Sequence, residues 1–213
     1  MILKRGGSHG VGVDTGAAPE ITYDGKWSGW HIETYGGIPY WEAVFYTSGV
    51  LTVTGEYNSE WWGIGGGSSA YGTGIIAGRG STSILRTIIS GTHTIEIGAG
   101  GYPSATEDYG NGGNTKLDTA TIGAGGAHGG PGGGSPYRFC DPDKAGEQGA
   151  DGMQEDFYGE PYSYGEGGWL HWGAESHPYQ RSGRGYGAGG ANKYNDGIAM
   201  DGHEGAAVCR IPA

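Results

Sequence analysis

The stretch IGAGGAHGGPGGG, residues 122–134, decides what kind of fold this chain can have, because eight of its thirteen positions are glycine. Glycines recur at every third position in two runs: Gly123, Gly126, Gly129 and Gly132, then Gly146, Gly149 and Gly152. A polyproline-II-type helix has three residues per turn and no internal hydrogen bonds. The spacing therefore predicts short three-fold glycine helices that approach closely and bond to one another through their backbones.

Three other interpretations of the glycines fit less well. A phosphate-binding loop needs Gly-x4-Gly-Lys-Ser/Thr, and the sequence contains no such motif. A collagen-like helix needs a long unbroken Gly-X-Y register rich in proline, whereas this chain has only 9 prolines. A flexible linker predicts serine-rich surroundings between two domains, but here the glycines alternate with aromatic loops through the second half of the chain.

The composition predicts an ordered protein with an unusual core. Glycine makes up 50 of 213 residues, and Leu, Ile, Val and Phe together only 29, a composition often found in disordered chains. The 7 Trp and 15 Tyr argue against disorder, because each can bury a large apolar surface. The net charge of −11 argues against nucleic acid or an anionic membrane as partner, and no apolar run is long enough to span a membrane.

Strand patterns dominate the first half of the chain. EITYDGKW, PYWEAVFYTSGVLTVTGEY and SEWWGIG are rich in β-branched and aromatic residues, and VLTVT (50–54) alternates with a period of two. SILRTIIS and THTIEIG form a strand pair split at Ser90-Gly91, and GAAVCRIPA is predicted to be a closing strand. No stretch has a helical period, so we expect almost no α-helix.

The predicted fold class is mainly β: an N-terminal β-sandwich-like module plus a glycine-rich region of stacked polyglycine-II helices with long loops. We expect an N-terminal attachment segment (1–20), a β-rich base (21–101) and a distal region (102–213) closed by the C-terminal strand. The distal region and the base can also form one continuous domain.

Catalytic and metal motifs fail on their context. Gly185, Gly187 and Gly190 form a G-x-G-x-x-G without a strand–helix setting, and Ser8 in GGSHG lacks the strand-to-helix turn of a nucleophile elbow. Asp141 and Asp143 resemble the start of an EF-hand loop whose later positions do not fit, which leaves a looser Ca²⁺ site open. We expect no enzyme activity, no cofactor and no assigned metal site.

The large insertions carry the candidate binding residues. They combine aromatic side chains with small polar residues, a composition typical of paratopes and suited to stacking on sugar rings. The loops at 102–111, 135–166 and 169–182 supply the candidate receptor-binding residues: Tyr102, Tyr109, Tyr137, Phe157, Tyr158, Tyr162, Tyr164, Trp169, His171, Trp172, His177 and Tyr179. The alternative is that these aromatics fold inward and cap a core poor in aliphatic residues.

Several stretches resemble the glycine-rich proteins of tailed bacteriophages and prophages that are associated with tail fibres and receptor-binding tips. The similar stretches are ITYDGKWSGWHIE…WEAVFYTSGVLTVTG (21–55), WWGIGGG (61–67), ILRTIISGTHTIEIGAGG (84–101) and GAAVCRIPA (205–213). The resemblance implies a β-rich base and a distal region in which layered polyglycine-II helices carry variable loops that contact the host receptor, as in tip adhesins of T-even-like phages. The glycine blocks here are shorter, and the insertions longer and more acidic, than in that pattern.

The resemblance implies a tail-tip or fibre-tip adhesin that binds a glycan or an outer surface protein of a bacterium. Its expected partners are that receptor and other tail or fibre proteins, in a virion assembled in the host cytoplasm, with a homo-trimer favoured. The alternatives are a purely structural glycine-rich virion or assembly protein, an ice-binding protein of the polyglycine-II type, and a capsule hydrolase. The pairing of Cys140 and Cys209 is left open, although a reducing cytoplasm favours free thiols.

Overall fold

The computed structural model describes residues 16–69, 80, 82–102, 110–126 and 202–213, together with four short strands between 153 and 193. No helix occurs among these residues, and hence none that could cross a membrane. The strands are β1 (Glu20–Tyr23), β2 (His31–Tyr35), β3 (Ile38–Phe45), β4 (Gly49–Ile64), β5 (Thr82–Glu96), β6 (Thr115–Leu117), β7 (Ala120–Gly123), β8 (Met153–Phe157), β9 (Glu160–Tyr164), β10 (Leu170–His171), β11 (Asn192–Lys193) and β12 (Ala206–Pro212).

Eight of these strands form one antiparallel sheet in the order β2-β3-β12-β4-β5-β6-β7, with β1 added beside the first part of β4. The pairs β8–β9 and β10–β11 are separate two-stranded sheets. The prediction of a mainly β protein is confirmed. The predicted closing strand is also confirmed, and it lies between β3 and β4 inside the sheet.

Strand β4 has the alternation that VLTVT predicts. Leu51 and Val53 are buried, and Thr52 and Thr54 are exposed. The strand then bulges, since three residues of β4 lie opposite one residue of β5 between Val53 and Tyr57. Gly55 within this bulge has a φ of 95°, a left-handed conformation in which other residues are strained.

The long β4–β5 ribbon folds back on itself at this bulge. The Thr115 hydroxyl donates to the Ile64 carbonyl at 2.6 Å, at the end of β4, and accepts from the Gly98 amide at 3.0 Å, just after β5. In a straight antiparallel ladder Ile64 and Gly98 would lie about 50 Å apart, at about 3.3 Å per residue along β4. The two halves of the ribbon therefore enclose a common core.

Two predicted strand boundaries are wrong. SILRTIIS and THTIEIG are one continuous strand, β5, which bends at Gly91 (φ 73°) instead of turning there. SEWWGIG likewise continues the strand that begins at Gly49. In both cases a glycine with positive φ bends the strand while most of its ladder stays paired, because a bulge kinks a strand without ending it.

The core between the two halves is built around aromatic rings. Phe45 stacks on Trp61 at 5.5 Å and on Trp27 at 5.8 Å, and Tyr23 meets it edge-on at 4.9 Å. The Trp61 indole N–H donates to Ser59 at 2.9 Å, so its polar atom is satisfied inside the core. These rings explain how a chain poor in aliphatic residues can form a core.

Candidate functional site

Five short glycine-containing segments that are neither helix nor strand adjoin the sheet: 65–69, 98–102, 110–114, 124–126 and 202–205. The first of them, called here the central segment, exchanges backbone hydrogen bonds with all four others. These bonds are Gly66 N to Gly113 O (2.9 Å), Gly67 N to His203 O (2.8 Å), Ser69 N to Gly110 O (2.9 Å), Gly101 N to Gly67 O (2.8 Å) and Gly126 N to Gly66 O (2.7 Å).

A β-strand has only two neighbours within its sheet, so four bonded neighbours exclude sheet pairing for the central segment. The outer segments are also bonded to one another, through Gly113 N to Ala99 O, Gly112 N to Gly126 O, Gly202 N to Gly101 O and Gly205 N to Gly98 O, at 2.8–3.0 Å. The central segment is buried throughout. The five segments thus form a bundle whose interior is backbone.

Glycine is required in this bundle because the segments pack backbone against backbone. Their backbone dihedral angles would allow other residues. None of the glycines described in the five segments has a φ in the left-handed region. A Cβ atom added to Gly112 would collide with the Gly66 carbonyl oxygen, and one added to Gly202 would collide with that of Gly67. Any side chain at these positions would push the segments apart.

The bundle has an end that lies away from the sheet. Ser69, Gly101 and Gly110 meet there, since an added Cβ on Gly101 would contact both of the others, and Gly202 bonds to Gly101. The side chain of Tyr102 is at this end and is 66% exposed.

Tyr102 is the one predicted site residue whose side chain lies in the described part of the chain. Phe157, Tyr162, Tyr164 and His171 lie in β8, β9 and β10, of which only the strand pairing is described. The remaining predicted residues lie outside the described ranges: Tyr109, Tyr137, Tyr158, Trp169, Trp172, His177 and Tyr179. Asp141, Asp143 and Cys140 also lie outside them.

A row of ionisable side chains, which the sequence alone does not reveal, crosses the face of the sheet opposite the aromatic core. Strand register places five side chains side by side on five neighbouring strands: His31, Glu42, Arg210, Glu60 and Arg86. We call these five residues the charged row. Its sequence signal is hidden, because the five residues come from distant strands whose register is not visible in the sequence.

The charged row is most buried at Glu42 and Arg210 and most exposed at its Arg86 end. Arg210 donates through Nε to Glu42, whose side chain is fully buried, and its guanidinium lies 4.0 Å from the Trp62 ring. Arg86 donates through Nε to Glu60 at 2.7 Å, and its side chain is 77% exposed. The carboxylates of Glu42 and Glu60 balance the guanidinium groups of Arg210 and Arg86.

Asp118 and Cys209 are among the groups whose pKa is shifted by their surroundings. Burial acts to raise the pKa of Asp118, but hydrogen bonds from His93 and the Thr94 amide, with the charge of His93, lower it overall. Burial, and then the Glu42 carboxylate, raise the pKa of Cys209, which is a free thiol in the core. Within the described ranges, no three His, Cys, Asp or Glu side chains cluster as metal ligands would.

Comparison with protein-family models found no matching family, and no curated protein matches this sequence.

Proposed function

We propose that this protein is a non-enzymatic adhesin at the tip of a bacteriophage tail or tail fibre, which binds a glycan or an outer surface protein of a bacterium. One observation carries the proposal: the segments 98–102, 110–114, 124–126 and 202–205 are bonded to one another and to the central segment. In the sequence, the insertions 103–109 and 127–201 are joined at both ends to segments of this bundle, which anchors them. Binding residues are concentrated on loops that a rigid scaffold positions.

The glycine bundle is, in this proposal, a polyglycine-II bundle on a β-sandwich-like base. Supporting it are the four bonded neighbours of the central segment and the collisions that any Cβ would cause at Gly112 and Gly202. Three-fold helices have no internal hydrogen bonds, so their amides and carbonyls must find partners in neighbouring segments. Such a bundle is stiff because each segment is held on several sides.

The base attaches to other tail or fibre proteins in this proposal, in the virion and with three copies favoured. The distal loops carry recognition through Trp169, Trp172 and the other candidate aromatics. A purely structural virion protein is the alternative, and in it these aromatics lie at chain–chain contacts.

The test is adsorption of the purified, fluorescently labelled chain to a panel of candidate host bacteria. The double variant Trp169→Ala/Trp172→Ala should lose adsorption to the strain that the unchanged chain binds, while its urea unfolding midpoint stays the same. Tyr57→Phe, a comparable aromatic change in the base, is the control and should adsorb normally. Equal adsorption by the double variant and the control would refute the assignment of recognition to these loops.

A further inference from the structure

A groove of about 420 Å³ lies on the face of the sheet opposite the aromatic core, beside the exposed Arg86 end of the charged row. It crosses β3, β12, β4 and β5, and three inter-strand spacings of about 4.8 Å give it a length of about 14 Å. One side of the groove is formed by Arg210, Glu60 and Arg86 of the charged row. Its volume falls in the usual range for small-molecule sites.

The other side of the groove is less polar. Tyr40 and Pro212 lie at its β3–β12 end, Ile88 lies at its β5 end, and Asn58 lies between them. Ile88 is 55% exposed, and Asn58 is also exposed. A ligand here would contact apolar surface on one face and charged groups along one edge.

The Glu60–Arg86 pair has hydrogen-bonding capacity beyond its own contact. A carboxylate only accepts hydrogen bonds and has about four sites, while a guanidinium only donates and has five N–H groups. Their mutual bond uses Arg86 Nε and Glu60 Oε2. A ligand that both donates and accepts at adjacent atoms, as two neighbouring sugar hydroxyls do, can bond to both groups at once.

Charge favours a neutral ligand over an acidic one. The two guanidinium groups of the charged row are balanced by the carboxylates of Glu42 and Glu60. The whole chain carries a net charge of −11, which disfavours the approach of anions. A ring with an apolar face and several hydroxyl groups fits both the balanced charges and the surface of Tyr40, Pro212 and Ile88.

We propose that this groove binds a neutral oligosaccharide, laid across the strands, with Glu60, Arg86 and Asn58 bonding to its hydroxyl groups. The groove is formed by residues of the sheet alone, so the proposal does not depend on the proposed receptor-binding role of the loops.

The test is calorimetric titration of the full chain with maltotriose, cellotriose and chitotriose as neutral probes and with trigalacturonate as the acidic one. We expect at least one neutral trisaccharide to bind, and to bind more tightly than trigalacturonate. Arg86→Ala should weaken that binding about tenfold, because it removes a charged hydrogen-bond partner, and Asn58→Ala about threefold.

Lys116→Ala is the matched control. Lys116 pairs with Glu96 across β6 and β5 at 2.9 Å, as Arg86 pairs with Glu60, but it lies outside the groove. This variant and Trp169→Ala/Trp172→Ala should bind the trisaccharide like the unchanged chain, and urea unfolding of each variant shows that it is folded. The proposal is overturned if none of the neutral probes binds, if trigalacturonate binds more tightly, or if Arg86→Ala binds as well as the unchanged chain.

Discussion

Gly112 shows at the residue scale why this chain needs glycine. Its φ lies outside the left-handed region, so alanine could adopt its backbone angles. The obstacle is the Gly66 carbonyl oxygen, which occupies the position that a Cβ would take. The role of glycine here is to let two backbones touch.

We expect Gly112→Ala to lower the free energy of unfolding by about 1–3 kcal/mol, as overpacking of a tight interior does. The control is Gly16→Ala: Gly16 has no atom near its would-be Cβ and no positive φ, and the change should stay within about 0.5 kcal/mol. Urea denaturation of the two variants measures both values. A Gly112→Ala variant as stable as the unchanged chain would mean that the bundle is loosely packed.

Asp118 couples the stability of the large sheet to pH. It lies in the turn between β6 and β7 with a φ of 52° and accepts hydrogen bonds from His93 at 2.9 Å and the Thr94 amide at 2.8 Å. Because its pKa is lowered in the folded state, its contribution is present above the unfolded pKa of about 3.9 and is lost as pH falls through the folded value.

The matched variant is Asp118→Asn, since asparagine also tolerates a positive φ. At pH 6 the unchanged chain should be the more stable of the two, and this difference should shrink as the pH is lowered toward 3. Thermal unfolding at a series of pH values measures it. A difference that is constant with pH would show that the ionisation of Asp118 does not contribute to stability.

For individual residues, the spacing of the glycines predicts that some of them pack backbone against backbone. It does not predict which glycines do so. Residues 122–126 of the opening stretch are described, with Gly125 and Gly126 in the bundle, whereas 127–134 lie outside the described ranges. The central segment 65–69 lacks the long three-residue run that drew attention to 122–134. Its role depends on neighbours that are distant in the sequence.

Strand β12 joins two parts of the sheet, because it pairs with β3 on one side and β4 on the other. Its only charged side chain, Arg210, is held by the fully buried Glu42 and stacks on Trp62. Removing one member of a buried ion pair leaves the other charge buried without its partner, which is costly. The charged row thus holds β12 in place through the buried Glu42–Arg210 pair.

We expect Arg210→Met to cost about 3–5 kcal/mol of unfolding free energy. The control, Arg86→Met, removes the same group from the same row at its exposed end and should cost about 1 kcal/mol or less. Chemical denaturation gives both numbers. Similar costs for the two variants would show that burial does not distinguish the two ion pairs.

At the scale of the elements, the sequence predicts which stretches form strands. It does not predict where each strand ends or which residues of neighbouring strands lie opposite each other. VLTVT and GAAVCRIPA have apolar residues that commit them to a buried face, and both are strands. Ser90-Gly91 has the composition of a turn, yet β5 passes through it because β4 stays paired on both sides of the bend. The charged row was invisible for the same reason, since it exists only once four strand registers are set.

The large sheet and the glycine bundle are continuous at the scale of the whole molecule. β4, β7 and β12 run directly into or out of glycine segments, and Thr115 bonds to Ile64 and Gly98 where the sheet meets the bundle. No described residue forms a linker between the two parts. They should therefore unfold together.

Native-state hydrogen exchange tests this continuity. The amides of Gly66, Gly67 and Gly113 donate to backbone carbonyls inside the bundle and should be protected as strongly as those of the core strands. The exposed amide of Gly37, in the turn between β2 and β3, is the control and should exchange fast. Fast exchange at all three bundle glycines would separate the bundle from the stable core.

The candidate site was the least predictable part of the whole molecule. Aromatic residues among small polar ones predict a binding surface, but their orientation depends on long insertions with no repeating pattern, and Tyr102 alone has a described side chain. The groove on the base has no local signal at all, because its sides come from four strands.

The position of β12 in the middle of the sheet also bears on how the chain folds during synthesis. β3 and β4 leave the ribosome early, but the strand that separates them is made only after all of the long insertions. Until then the facing edges of β3 and β4 are unpaired and open to wrong partners, and pairing across so long a loop is slow. A ribosome-bound chain that stops before residue 206 should therefore remain sensitive to protease and bind chaperones, whatever the stability of the finished protein.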